Sequence, residues 1–260
     1  MNIIVCIKLV PSVMNVPMDQ DYVLQRDRVV QVMNPADESA LEAALRLKGQ
    51  GSVTVITMGK PSGEEALRGL LALGADRAVL ISDPAFAGAD TYATAKTLSA
   101  AINCLKECHG DFDLILCGRR AIDGETGQVP PELAVMLQIP FVTNVTKMNC
   151  IQGKLECCRL LEDGAEELVF AAPALISLAE YSYSLRLATL QGLRKARRAE
   201  VMTYTREDLE LPKDDCGLKG SPTRVRKVTG KHQGVRNVTI AKDSKEGAAR
   251  LTNLIIEVQR

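Results

Sequence analysis

Tryptophan is absent from this 260-residue chain, and aromatic residues make up only 3% of it. A stacking platform for single-stranded nucleic acid needs several exposed rings, so that class of partner is excluded. Neither sign of charge is in excess: 32 Lys and Arg balance 32 Asp and Glu. A net charge of zero gives no long-range field for a polyanion or an anionic membrane surface. No apolar run reaches the roughly 20 residues that span a bilayer. The opening stretch MNIIVCIKLV lacks a basic n-region and a small-residue cleavage site. It reads as a first strand, and the expected compartment is cytoplasmic.

Eight cysteines are present, but their spacing does not make a metal site. Cys6 and Cys117 fall in expected buried strands, where a thiol behaves as a small hydrophobe. Cys104 and Cys108 are four residues apart beside His109, with no second pair at ligand spacing. Cys157 and Cys158 are adjacent, which sends them to opposite faces of a strand. All eight read as reduced thiols.

The chain is long enough for one large α/β domain with an appendage, or for two small domains. Its most informative stretch starts at Asp113, DLILCGRRAIDGETGQVPPELAVMLQ. Leu114 to Cys117 is a short apolar run that reads as a buried parallel strand. A charged, turn-rich loop runs from Gly118 to Glu125. Thr126 is the expected N-cap of a helix with Pro130 and Pro131 in its first turn and Leu133, Met136 and Leu137 on one face. Strand, glycine loop and capped helix point backbone N–H groups at an anion. Gly118, Gly124 and Gly127 allow close backbone approach, and Arg119 and Arg120 can offset phosphate charge. The same pattern also serves as a plain tight connection, and it is neither a G-x-G-x-x-G fingerprint nor a Walker A loop.

Strands and helices alternate up to this loop. Asn2 to Val10 is a strand, and Met18 to Met33 reads as a peripheral hairpin. Asn34 caps a helix with Pro35 at its first position and Leu41, Ala44 and Leu45 on its apolar face, stopped by Gly49 and Gly51. Val53 to Met58 is a second strand. A helix from Gly63 to Leu73 ends at Gly74. Arg77 to Ile81 is a third strand, and Asp90 caps a long helix with Ala95, Leu98, Ile102 and Leu105 as its buried stripe. The alternation predicts a doubly wound, Rossmann-like parallel sheet, with ligands beyond the strands' carboxyl ends. Antiparallel strands at Phe141–Ile151, Lys154–Leu161 and Leu168–Ala171, turning at Gln152-Gly153 and Asp163-Gly164, are expected to extend its edge, together with an apolar strand at Ala174–Leu178. The chain then turns basic at Arg186, Arg194, Lys195, Arg197 and Arg198. Lys213 to Thr223 reads as linker, and an amphipathic helix from about Ser244 to Val258 closes the chain. The expected organisation is a nucleotide-binding domain over 1–185, a partner-recognition loop and linker over 186–223, and a C-terminal arm over 224–260.

The segments IVCIKLVP, MNPADESALEAALRLK, VTVITMG, ALGADRAVLISD, AFAGADTYATAKTLSAAI and CGRRAIDGETGQVPP together resemble the electron transfer flavoprotein β subunit along nearly the whole chain. A family signature segment follows, from Arg159 through Gly164 and Glu166 to Pro173 and Ser177; Cys157 departs mildly from it. The resemblance implies a heterodimer with an FAD-carrying α subunit and an adenine nucleotide on this chain. The compact loop from Asp123 to Val129 and the segment GSPTRV are similar to the bifurcating members. Those hold a second FAD, take hydride from NADH, and pass electrons to an acyl-CoA dehydrogenase-type flavoenzyme and to ferredoxin or flavodoxin. The other members hold AMP.

Carried over by position, the nucleotide contacts are Cys6, Asn34, Pro35, Ala36, Asp37, Val55, Met58, Gly59, Gly118, Arg119, Arg120, Ala121, Ile122, Asp123, Gly124, Glu125, Thr126, Gly127, Gln128 and Val129. Ala188, Thr189 and Leu190 resemble the loop that docks the partner flavoenzyme. The resemblance asks for no metal and no general acid, since the redox chemistry is the flavin's. The doubly wound architecture by itself also allows a nucleotide-binding regulatory module without redox chemistry.

Overall fold

The computed structural model describes residues 1–12, 30–151, 154–226 and 240–258. The elements, in chain order, begin with Ile3–Cys6 (β1), Leu9–Pro11 (β2), Gln31–Met33 (β3), Pro35–Leu47 (α1), Val53–Met58 (β4) and Gly63–Leu73 (α2). Arg77–Ile81 (β5), Thr91–His109 (α3), Leu114–Gly118 (β6), Val129–Leu137 (α4), Phe141–Ile151 (β7) and Lys154–Leu160 (β8) come next. Ala165–Phe170 (β9), Ala174–Leu178 (β10), Leu190–Ala196 (α5), Met202–Tyr204 (β11) and Ser244–Val258 (α6) complete the set. The chain forms two compact units, Met1–Arg226 and Lys227–Arg260.

A nine-stranded sheet in the order β11-β5-β4-β1-β6-β10-β7-β8-β9 organises the first unit. Every pairing from β11 to β7 is parallel, and β8 and β9 add antiparallel to the far edge. Alternation along the strands sends Val5, Val55 and Leu116 to a core shared with Leu41 of α1 and Leu67 of α2. Ile4, Ile56 and Ile115 face the opposite way, onto Leu98 and Ile102 of α3 and Leu133 of α4. Each such side chain contributes about 1.5–3 kcal/mol on burial, so the two layers fix which strand faces which helix.

The chain moves outward from β1 to β4 and β5, and α3 then returns it to β6 on the other side of β1. That reversal opens a crevice at the carboxyl ends of β1 and β6, where open α/β sheets bind ligands. The expected end signals hold for two helices. Asp90 caps α3 by accepting from Ala93 N at 3.0 Å, and α2 stops at Gly74 with φ 121°.

Several expectations change. The first strand is two: β1 ends at Cys6, and β2 leaves the main sheet to pair antiparallel with β3. The break falls at Lys8, whose N–H is taken by the Asp37 carboxylate. The remainder of the expected 18–33 hairpin lies mostly outside the described residues, as does the turn at 152–153. Ala174–Leu178 does not extend an edge. It is inserted between β6 and β7 and buried throughout, as a continuous apolar run in a parallel sheet must be. β11, on the opposite edge beside β5, was not anticipated.

Lys213 to Thr223 is not a free linker. Cys216 and Ser221 are buried, Ser221 Oγ accepts from Asp90 N, and Thr223 donates from both N and Oγ1 to Asp90 Oδ2. These residues are strapped over the start of α3. In the second unit, α6 leaves Leu251, Leu254, Ile255 and Ile256 exposed.

Candidate functional site

Loop 118–128 leaves the end of β6 and reaches α4, and its two halves are held differently. The inner half is clamped. Asp37, buried in the first turn of α1, accepts from Lys8 N at 2.7 Å through Oδ2 and from Gly118 N at 3.0 Å through Oδ1. Asn34 sits at the N-cap position of α1 but caps nothing with its side chain. Its Oδ1 accepts from Ile122 N at 3.1 Å, and its Nδ2 donates to Arg120 O at 2.9 Å and to Asp37 Oδ1 at 3.1 Å. Only a carboxamide can accept and donate in this way at one site. Lys8 Nζ reaches Asp123 at 2.6 Å, Arg119 N donates to Leu178 O at 2.7 Å, and the Arg120 guanidinium pairs with Glu180 at 3.0 Å. A Cβ at Gly118 would collide with Asp37 Oδ1 and lie 2.7 Å from Ala36 Cβ. No larger residue fits there.

The outer half is open. Glu125 and Gly127 both have positive φ, 54° and 64°. For Glu125 this conformation costs about 1–2 kcal/mol, and its N–H is tied to Ala121 O at 2.8 Å. The turn leaves the N–H groups of Thr126, Gly127 and Val129 without a hydrogen-bond partner among the described residues. Thr126 is not the expected cap: α4 begins at Val129, with Gln128 preceding it. Pro130 and Pro131 occupy its second and third positions and have no N–H to offer, so Val129 is the one donor α4 adds to those of the loop at Thr126 and Gly127. Gly124 is exposed, and a Cβ there would find only Lys8 Nζ, 3.9 Å away.

Charge follows the same division. Arg120 is engaged by Glu180, which holds the guanidinium pKa above its usual value. Burial raises the Glu180 carboxyl, but its hydrogen bonds and Arg120 bring it below its usual range. Arg119 is exposed and forms no ion pair among the described residues, so it is the arginine available to a phosphate.

The structure therefore gathers Asn34 to Asp37, the end of β1 and the whole of loop 118–129 at one crevice. The polar atoms of Asn34 and Asp37 are turned into protein, so these two shape the loop. Met58 is half-buried and Gly59 exposed at the end of β4. Val55 is fully buried in the core, and its side chain does not reach the crevice surface. Lys8 and Glu180, which help frame the loop, carry no local pattern that marks them in the sequence.

Ala188, Thr189 and Leu190 lie elsewhere. Thr189 Oγ1 accepts from Gly192 N at 3.0 Å and caps α5, leaving Leu190 78% exposed and Leu187 90% exposed. Such exposure of two large aliphatic side chains excludes a core role for Leu190. Arg186, expected to be part of a basic surface run, is fastened to buried Glu42 of α1 through N, Nε and Nη2, the two guanidinium contacts being 2.9 and 3.1 Å.

A family model for the electron transfer flavoprotein domain matches residues 21–209. The chain belongs to the electron transfer flavoprotein family, as a β subunit. It is 45% identical over 229 residues to an electron transfer flavoprotein subunit beta of Thermoanaerobacterium thermosaccharolyticum, covering 86% of each chain. It is 40% identical over 260 residues to the subunit of that name from Clostridium acetobutylicum, covering 99% of this chain and 98% of the other. A caffeyl-CoA reductase-Etf complex subunit, CarD, of Acetobacterium woodii is 40% identical over 229 residues, covering 86% of each. Among the described residues no helix is long and apolar enough to cross a membrane.

Proposed function

We propose that this β subunit pairs with an FAD-bearing α subunit and itself holds a second FAD, in a cytoplasmic complex that bifurcates electrons from NADH. The observation that carries the reading is the open half of the loop. Thr126, Gly127 and Val129 offer N–H groups that, like the Arg119 guanidinium, have no partner among the described residues, a donor set that fits a pyrophosphate. FAD, when bound, supplies hydride acceptance from NADH and electron release toward two acceptors. The chain's own residues bind and orient: Asn34 and Asp37 fix the loop, Gly124 leaves room for close approach, and Arg119 offsets phosphate charge.

The exposed apolar stripe of α6 supports an apolar partner surface such as the α subunit would supply. Exposed Leu187 and Leu190 support docking of an acyl-CoA dehydrogenase-type flavoenzyme, in keeping with a relative named as part of a caffeyl-CoA reductase complex. Ferredoxin or flavodoxin completes the reading as low-potential acceptor. AMP in place of FAD is the second reading, since the same free amides suit a single phosphate.

Cofactor stoichiometry of the purified heterodimer decides between them. Two FAD and no AMP is the expected result; one FAD with one AMP leaves a plain carrier. Gly124→Val places a branched side chain in open space, so the fold should persist while one flavin per heterodimer and NADH-dependent reduction are lost. Full flavin content in that variant would place the nucleotide elsewhere.

A further inference from the structure

Asp37 joins the two strand ends that frame the crevice. Its Oδ2 takes Lys8 N, and its Oδ1 takes both Gly118 N and Asn34 Nδ2. The Lys8 ammonium is held by Asp123 and so touches the carboxyl with its main chain only. From β1 and β6 the neighbouring titratable groups are the thiols of Cys6 and Cys117, which lie side by side across the strand pair; Cys117 is raised well above its ordinary value by its interaction with Cys6 and by burial. Glu38, the next residue on α1, is raised by burial. Burial pushes Asp37 itself up to about 7, against the pull of its three donors and the Lys8 charge.

The two protonation states are not geometrically equivalent. A carboxylate accepts all three N–H bonds. A carboxylic acid carries a hydrogen on one oxygen, where it opposes a donor already present: Lys8 N at Oδ2, or Gly118 N and Asn34 Nδ2 at Oδ1. One bond of the clip is then given up. Gly118 is closely seated against the start of α1, where even a Cβ would strike Asp37 and Ala36.

Building on the nucleotide reading above, we propose that Asp37 is a proton-operated positioning residue. As a carboxylate it holds Lys8 and Gly118 together and keeps loop 118–129 in its binding shape. As the acid it releases one of them and weakens nucleotide binding. Phosphate charge acts in the opposite sense, since a nearby dianion favours the acid, so the sign of the pH dependence separates the clip from simple repulsion.

The test is calorimetric titration of the full chain with FAD, whose phosphodiester groups do not titrate near neutrality, from pH 6 to pH 8. If only the carboxylate form binds, affinity should rise about tenfold across this range in the wild type. Asp37→Asn should be flat. Wild-type affinity that is flat or stronger in acid, or an Asp37→Asn variant with the same midpoint, overturns the clip. Because Asp37→Asn could misfold, amide exchange on the wild type gives a second reading. Protection at Lys8 or at Gly118 should fall on acidification while Ile115 stays protected, and unchanged protection at both overturns the proposal. If FAD binds at no pH, the nucleotide reading itself fails; binding that ignores pH removes only the proton-operated clip.

Discussion

Loop 118–128 and the Leu187–Leu193 knob are both exposed, yet they are built on opposite principles. In the loop the side chains of neighbouring segments hold the backbone, and what is open is main chain: N–H groups at positions 126, 127 and 129 with no partner among the described residues. In the knob the backbone is capped by Thr189, and what faces outward is side chain: Leu187, Leu190 and the half-exposed Leu193. A polar ligand needs directed donors, which require a rigid frame; an apolar partner needs area, which a short helix on a fixed root supplies. The two regions should therefore respond to mutation in different ways.

The sharpest break should come at Gly118→Val. Its side chain would be driven into Asp37 and Ala36, which should cost about 3 kcal/mol of stability by overpacking and abolish nucleotide binding. Thermal unfolding with cofactor analysis checks this, and a stable variant with full flavin would mean the clamp can yield. Next in size, Arg186→Ala leaves buried Glu42 with Arg46 as its ion-pair partner among the described residues. We expect a loss of about 2 kcal/mol in urea denaturation, below the full figure for a buried pair because Arg186 is partly exposed. The knob should lose its fixed root while the nucleotide stays bound. Smallest is Leu190→Ala, which should weaken docking of the partner flavoenzyme by about 1–2 kcal/mol with no change in folding or flavin content. Surface plasmon resonance against the partner would show it. Equal losses in docking and in flavin would mean that the two regions are not independent.

Much of the scaffold was legible because its signals are local. The apolar run at Leu114, the Asn34-Pro35 helix start, Gly74 and Asp90 each announce an element boundary within a few residues. The loop's glycines were legible as a group but not as individuals. Gly118 is required by close packing and Gly127 by its φ, whereas Gly124 is neither crowded nor at positive φ. The clamp was illegible because its bonds join residues far apart in sequence: Gly118 N to Asp37 spans 81 positions, and Asn34 to Ile122 spans 88. Such pairs leave no periodic trace. Asp37 in a first helical turn looks like a complement to the helix dipole, and Asn34 like an ordinary cap. The strap at 213–223 was hidden for a related reason: its glycines and prolines suggest a linker, while its ties to Asp90 come from another part of the chain.

Lys8 shows how unevenly such a frame is exposed to change in sequence. Its N–H goes to Asp37, its carbonyl accepts from Asn34 N at 3.0 Å, and its ammonium goes to Asp123. Two of these three ties are main-chain atoms that every amino acid except proline possesses in full. The position can therefore drift, giving up only the bond to Asp123, whereas Asn34, which holds Arg120 and Ile122, and Asp37, which holds Lys8 and Gly118, do so through side-chain atoms and have no such freedom. The side-chain ties of the clamp are thus concentrated in two residues, beside the glycine that packs against them, and the residue at the crossing point of the network is among the most replaceable.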